Sequence, residues 1–97
     1  WTLAKGFRDG AWLSPLTHGT PPVCQVFLSV NDETRQNDST DKMLFDVLYQ
    51  LKYLHKHFGL RAGDLIYTGT PKGVGKLSSG DRLVAKLNDD QYTLSIR

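Results

Sequence analysis

The stretch Leu65-Ile66-Tyr67-Thr68-Gly69-Thr70-Pro71-Lys72-Gly73-Val74-Gly75 organises the chain. Asp64 precedes it after Gly63, which predicts a turn leading into a strand. Leu65, Ile66 and Tyr67 are strand formers. The second half cannot continue that strand. Pro71 has no N–H to give to a ladder, and Gly69, Gly73 and Gly75 admit positive φ or a close backbone approach. The reading is a strand that ends in a bare-backbone loop carrying two threonine hydroxyls and Lys72. Such a loop can hold a carboxylate or phosphate through N–H and hydroxyl donors. It can equally be a connecting turn with surface lysines.

Two familiar phosphate loops fail against it. A P-loop needs four residues between its first Gly and a Gly-Lys pair, then Ser or Thr. Here five residues separate Gly69 from Gly75-Lys76, and Leu77 follows. The dinucleotide fingerprint needs G-x-G-x-x-G opening a helix. Gly73-Val74-Gly75 meets Ser78 at the third position, and Gly80-Asp81 then opens another strand. Nucleotide binding is a poor fit.

Working outward, 97 residues suffice for one small domain and only just for a well-filled core. Hydrophobic content is 39%, low for a self-sufficient globule. The chain starts at Trp1, which reads as processed, excised or recorded in part. No apolar run approaches the roughly 20 residues of a membrane span, and no signal pattern stands at the front. The single cysteine, Cys24, sits in an apolar run and reads as a buried free thiol of a reducing compartment. Net charge is +2 and the basic residues are scattered, so no block tracks a phosphate backbone. The aromatics lie mostly inside apolar patterns and read as core rather than as base-stacking platforms. Nucleic acid and membrane are therefore not expected as partners.

Before the central stretch, residues 11–17 hold Pro15, so any strand there is short or at an edge. His18-Gly19-Thr20-Pro21-Pro22 is a loop. Residues 23–30 give the strongest strand signal, with Val26, Leu28 and Val30 on one face and Gln25, Phe27 and Ser29 on the other. The second face is not purely polar, so something covers it too. Asn31-Asp32-Glu33 forms a turn and Thr34-Arg35-Gln36 returns, which makes a hairpin. Asn37-Asp38-Ser39-Thr40 is turn-rich. One helix is predicted from Thr40 or Asp41 to about Phe58. Leu44, Val47, Leu48, Leu51, Leu54 and Phe58 form its apolar stripe, Lys42, Asp46, Gln50 and Lys56 lie largely off it, and Gly59 stands at its end. His55 and His57 point about 200° apart on such a helix and cannot share one ion. After the loop, residues 82–87 and 92–96 alternate around Asn88-Asp89-Asp90 and form a second hairpin.

Dense hydrolytic chemistry is missing. No serine sits in a G-x-S-x-G elbow, and Cys24 has no histidine near it in sequence. The acids are nine aspartates and one glutamate. The adjacent pairs Asp32-Glu33 and Asp89-Asp90 sit at turns, where neighbours point apart. A hard cation wants several convergent carboxylate oxygens, and no clear set is supplied.

Taken together and in order, the pieces resemble the C-terminal half of the fumarylacetoacetate hydrolase family. The resemblance runs through Ala4-Lys5-Gly6-Phe7, Val30-Asn31-Asp32-Glu33-Thr34-Arg35-Gln36, Met43-Leu44-Phe45, residues 60–75 and Gly80-Asp81. Within the family the chain is similar to the acylpyruvate hydrolase, oxaloacetate decarboxylase and homoprotocatechuate-pathway isomerase/decarboxylase members. That resemblance implies an α+β, mostly β fold, a rolled mixed β-sheet with one main helix at about 40–58. It implies that residues 1–97 are the C-terminal part of one catalytic domain. It implies a metal-dependent hydrolase or lyase acting on 2-oxo or β-diketo acids with Mg²⁺ or a similar divalent cation, as a cytoplasmic or mitochondrial homodimer. Lys5 matches the family's active-site lysine, and Thr70 with the Gly69 backbone matches the loop that binds the substrate's carboxylate or oxo end. Asp9 falls where some members place a residue near the metal's water shell. The family's metal carboxylates, two glutamates one residue apart and a later aspartate, lie upstream of the lysine motif, so none of them is expected in this chain. Residues 8–14 depart from the family's usual pattern. The competing reading is a catalytically inactive piece that serves in assembly or anion binding.

Overall fold

A computed structural model describes Gly6, residues 8–20 and residues 22–97. Four strands form one sheet: β1 (Gln25–Val30), β2 (Glu33–Ser39), β3 (Arg82–Leu87) and β4 (Asp90–Ser95). Their order is β2-β1-β3-β4, and all three pairs are antiparallel. Among the described residues a single 3-10 turn, Thr40–Lys42, leads toward one α-helix, α1 (Val47–Phe58). The α+β, mostly β class with one main helix is as expected; among the described residues no parallel pair occurs. No described helix is long and apolar enough to cross a membrane.

Both predicted hairpins form. Asn31 and Asp32 turn the first, each at left-handed φ, 51° and 66°. Two such residues match the right-handed twist of the flanking strands, and Asn and Asp tolerate that region best after glycine. A register shift falls between Leu28 and Ser29. Strand β2 outruns its expected end and takes in Asn37, Asp38 and Ser39, because β1 offers each a ladder partner. Residues 10–18 contain no strand, so the short or edge strand expected at 11–17 does not form.

The two hairpins meet only along β1 and β3, and asparagines clamp both ends of that seam. Asn31 N–H donates to the Arg82 carbonyl (2.8 Å), and Arg82 N–H donates back to Asn31 Oδ1 (2.9 Å). At the far end Asn88 N–H donates to the Gln25 carbonyl (3.0 Å), and Gln25 N–H donates to Asn88 Oδ1 (2.8 Å). Asn88 also stands at left-handed φ, 52°. Each side chain therefore extends the ladder by one bond where the strand has already turned away.

One sheet face carries Val26, Leu28 and Val30 of β1 with Leu83, Ala85 and Leu87 of β3. The other carries Phe27 and Ser29 with Lys86 and Val84; the Lys86 ammonium lies 5.2 Å above the Phe27 ring. Val30 and Leu83 are buried on the first face, Ser29 and Val84 on the second. Both faces are thus covered at this end, as the non-polar pattern of the second face requires. Cys24 is buried with a free thiol that donates to the Pro22 carbonyl.

The helix begins later than its periodicity predicts. Asp46 caps it by accepting the Tyr49 N–H at 2.7 Å, and residues 43–46 are not helical. A carboxylate at that position satisfies a donor that would otherwise be orphaned, which places the start at Val47. Gly59 ends it at φ 68°, as expected, with its N–H bonded to the His55 carbonyl. The helix contributes no buried residue. Leu48, Leu51 and Phe58 on its apolar stripe are exposed, as are Trp12, Phe45, Tyr49, Tyr53 and Tyr67. The expectation that the aromatics form core therefore fails for most described ones. The chain exposes 8552 Å², whereas a folded monomer of this mass exposes roughly 5,600 Å².

The expected strand at 65–67 also fails. These residues run without a ladder partner. Its entry turn does form: Asp64 N–H donates to the Arg61 carbonyl, and Asp64 Oδ2 accepts the Arg61 N–H at 2.8 Å. The same device recurs at residues 78–81, where Asp81 Oδ2 accepts the Ser78 N–H at 2.8 Å. Gly63 and Gly80 supply the positive φ of about 90° that a type II turn needs before its last residue.

Two predictions follow from the seam. Asn88→Ala is expected to cost about 1–2 kcal/mol in urea unfolding, since alanine loses the Gln25 bond and resists left-handed φ; Asn88→Gly, which takes that φ freely, costs less. Asp81 also joins the seam, accepting the Asn31 amide at 2.9 Å. The Ser78 N–H above all, then that amide, hold its carboxyl below the usual aspartate value. The stabilisation is present above the ordinary carboxylate range and is lost as pH falls through the lower, folded value. Melting temperature should therefore drop with acidification, and drop less steeply in Asp81→Asn.

Candidate functional site

A cleft of about 630 Å³ opens between the sheet, the residues that lead from β2 into α1, and the loop at residues 68–71. Val26, Leu87 and Asp38 come from the first sheet face, Gln50 from the helix, and Gly69 and Thr70 from the loop. The loop is held from two sides by glutamine amides. On the helix side Gln50 Nε2 donates to the Phe45 carbonyl (2.9 Å) and the Thr68 carbonyl (3.3 Å). On the strand side Gln36 Nε2 donates to Thr70 Oγ1 (2.8 Å) and the Pro71 carbonyl (2.9 Å).

Glycine then brings the loop down onto β2. Gly73 has φ +106°, and a Cβ built there would overlap the Arg35 carbonyl. Only a residue without a side chain can pass that close to a backbone oxygen. Gly69 has φ +114°, but a Cβ there meets nothing within 4 Å. The close approach that the sequence assigns to the loop's glycines therefore falls on Gly73, and more mildly on Gly75, whose Cβ would meet the movable end of the Arg35 side chain at 2.9 Å; Gly69 is needed for its φ alone.

Asp38 sits in the cleft wall beside Lys42 at 3.4 Å. Its own neighbour's N–H, Ser39, is the main cause that holds the carboxyl below its ordinary value, with the Lys42 and Lys72 ammoniums adding to it. Tyr67 OH reaches the Trp12 carbonyl at 3.4 Å, and Trp12 meets Tyr92 of β4 edge to face at 5.6 Å. The polypeptide around Trp12 thus joins the loop's entry to the far edge of the sheet.

Thr70 and Gly69 both line the cleft, as a binding role for them requires. Lys5 and Phe7 lie outside the described residues. Asp9 is exposed at left-handed φ, 59°. Among the described residues no three His, Cys, Asp or Glu side chains gather. A divalent cation needs several oxygen ligands, so the described residues do not fit one. Sequence reasoning missed both glutamines. The periodicity puts Gln50 largely off the apolar face, yet it lies on the side of α1 shared by Val47 and Leu54, all three half-buried. The spacing 47, 50, 54 marks that side, and a polar residue inside it was the available signal.

Against known proteins, a family profile described as "Fumarylacetoacetate (FAA) hydrolase C-terminal" matches residues 1–94. The mitochondrial oxaloacetate tautomerase FAHD1 of Mus musculus is 38% identical, covering 91% of this chain and 42% of its own length. Oxaloacetate tautomerase YcgM of Escherichia coli is 38% identical over 99% of this chain and 46% of its own. A fumarylpyruvate hydrolase from Pseudomonas aeruginosa, solved with Mn²⁺ and pyruvate, superposes with a TM-score of 0.75 at 33% identity, covering 80% of this chain and 34% of that one. The chain spans under half the length of the relatives it matches.

Gly73→Ala should lower stability by about 2–5 kcal/mol, the sum of backbone strain and overlap with Arg35. Gly69→Ala should cost only the strain, about 1–3 kcal/mol. Thermal unfolding of the two variants side by side measures the difference.

Proposed function

The chain belongs to the fumarylacetoacetate hydrolase family, and on that premise we propose that it supplies the substrate-binding half of an enzyme acting on 2-oxo or β-diketo acids. Residues 1–97 are, on this reading, the C-terminal part of a single catalytic domain. Two facts support that: the exposed area exceeds what a monomer of this size shows by about half, and the relatives are more than twice as long. A cytoplasmic or mitochondrial location and a homodimer belong to the same reading.

The observation that carries the proposal is the Thr70 hydroxyl on the cleft wall, in a loop pinned from strand and helix alike. Thr70, with the Gly69 backbone, receives the carboxylate or oxo end of the substrate. A hydrogen bond to a charged acceptor contributes about 1.5–3 kcal/mol, and fixing one end of the substrate orients the bond that reacts. Cleavage, decarboxylation and tautomerisation of such acids all pass through an enolate. Lys5, by its place in the family's lysine motif, would put an ammonium where that negative charge develops. Mg²⁺ or a similar ion enters this reading through the relative that holds Mn²⁺. The described residues offer it no ligand set.

The test is kinetic. The protein should turn over oxaloacetate or an acylpyruvate. Thr70→Val should cut kcat/KM by about tenfold to a hundredfold, as loss of one bond to an anion does, and Lys5→Met should act mainly on kcat. Wild-type protein inert toward every 2-oxo acid tried, or Thr70→Val with unchanged kinetics, would return the reading to an inactive module of assembly or anion binding.

A further inference from the structure

We propose that Gln36 is a positioning residue: it fixes the Thr70 hydroxyl as a donor toward the cleft and so selects an anionic acceptor there. The inference rests on Thr70 as a substrate-binding group, and it concerns how that group is set.

Gln36 lies on β2 opposite Leu28, among the apolar residues of the first sheet face. It is only 8% exposed, and nothing in its strand pattern calls for an amide at that depth. A buried amide is retained where its bonds are satisfied. Its nitrogen faces two oxygens, Thr70 Oγ1 at 2.8 Å and the Pro71 carbonyl at 2.9 Å. A carbonyl can only accept, so the group facing it must be the NH₂ and not the amide oxygen. Chemistry thereby fixes which end of the amide faces the loop.

The consequence falls on Thr70. A free hydroxyl turns to donate or accept as its neighbour demands. This one already accepts from Gln36, and among the described residues it donates no hydrogen bond of its own. The proton is left to the cleft. A hydroxyl that accepts on one side is also a stronger donor on the other. The site so prepared favours a carboxylate or an enolate oxygen over an amide or hydroxyl donor. Because the second proton of the same nitrogen holds Pro71, Gln36 cannot swing away to let the hydroxyl reverse.

A double-mutant cycle on the protein tests this, read by calorimetry with pyruvate in a buffer containing Mn²⁺. In the wild type, Thr70→Val should weaken pyruvate about tenfold or more. Gln36→Glu offers Thr70 an acceptor, so the hydroxyl proton turns inward and an oxygen lone pair faces the ligand. Pyruvate should weaken at least as much, and adding Thr70→Val to Gln36→Glu should then cost nothing or recover affinity. General repulsion by the new carboxylate, or a loosened strand, would leave the Thr70→Val factor undiminished, and that result would overturn the proposal. Where Gln36→Glu does not fold, Gln36→Met serves: it should weaken pyruvate about threefold by freeing the hydroxyl, and unchanged affinity overturns the proposal. Thr70→Val without effect in the wild type overturns the role of Thr70 itself, and this inference with it.

Discussion

Everything positioned in this chain hangs from the pairing of β1 with β3. Each hairpin is local and closes over two residues, at small entropic cost. The seam between them joins residues as far as 63 apart in sequence, and its closure is the expensive step in ordering the chain. Asn31 and Asn88 meet that cost at the two places where the ladder would otherwise fray. Both stand just past a strand, both take left-handed φ, and both return a side-chain oxygen to the N–H that the departing backbone leaves unpaired. Between the clamped ends, Val30 and Leu83 bury one face and Ser29 and Val84 the other. The residues from 40 to 81, which include the helix and the loop, leave the sheet at β2 and return at β3. Their position follows from that seam.

What the sequence made legible was whatever is specified by a few adjacent residues. Period-2 alternation and the Asn31-Asp32-Glu33 and Asn88-Asp89-Asp90 turns located both hairpins, although Glu33 and Asp90 already belong to strands. Gly63-Asp64 announced a turn, and Gly80-Asp81, which reads only as the opening of a strand, proves to be the same object, a glycine at positive φ followed by a carboxylate that reaches back three residues. Gly59 ended the helix where expected. The helix start was misread because Leu44 fits the apolar period, whereas a cap decides where helical bonding begins, and Asp46 provides it. The strand at 65–67 and the aromatic core were misread for a different reason. Propensity says which residues would suit a ladder or an interior; it does not say that a partner strand or a covering surface exists within the same 97 residues.

The exposed face of α1 makes the same point quantitatively. Burial of apolar surface is worth roughly 25 cal/mol per Å², and Leu48 and Phe58 on this helix forgo most of theirs, at 60% and 76% exposed. Beside the half-buried Val47 and Leu54, the helix is held by its two caps and by Gln50, whose amide bonds tie it to the loop rather than to the sheet. A 12-residue helix is marginal by itself in water, so these few polar ties have to supply order that packing does not. Sequence placed Lys5, Gly69 and Thr70 together as one site through family likeness. Of these, the geometry bears on the two loop residues only.

The loop itself shows which of its atoms matter. Gln50 bonds the Thr68 carbonyl, Gln36 bonds the Pro71 carbonyl, and Gly73 passes against the Arg35 carbonyl. All three contacts fix backbone, so they are indifferent to the side chains of Lys72 and Val74, which stay exposed. One side-chain atom alone is caught in this scaffold, Thr70 Oγ1. A connecting turn would need its ends held and nothing more. Here a buried amide is used to grip a hydroxyl on an otherwise open wall, at a depth where an apolar residue would satisfy packing without needing partners. The amide is intelligible if the direction of that hydroxyl is what the strand is there to set.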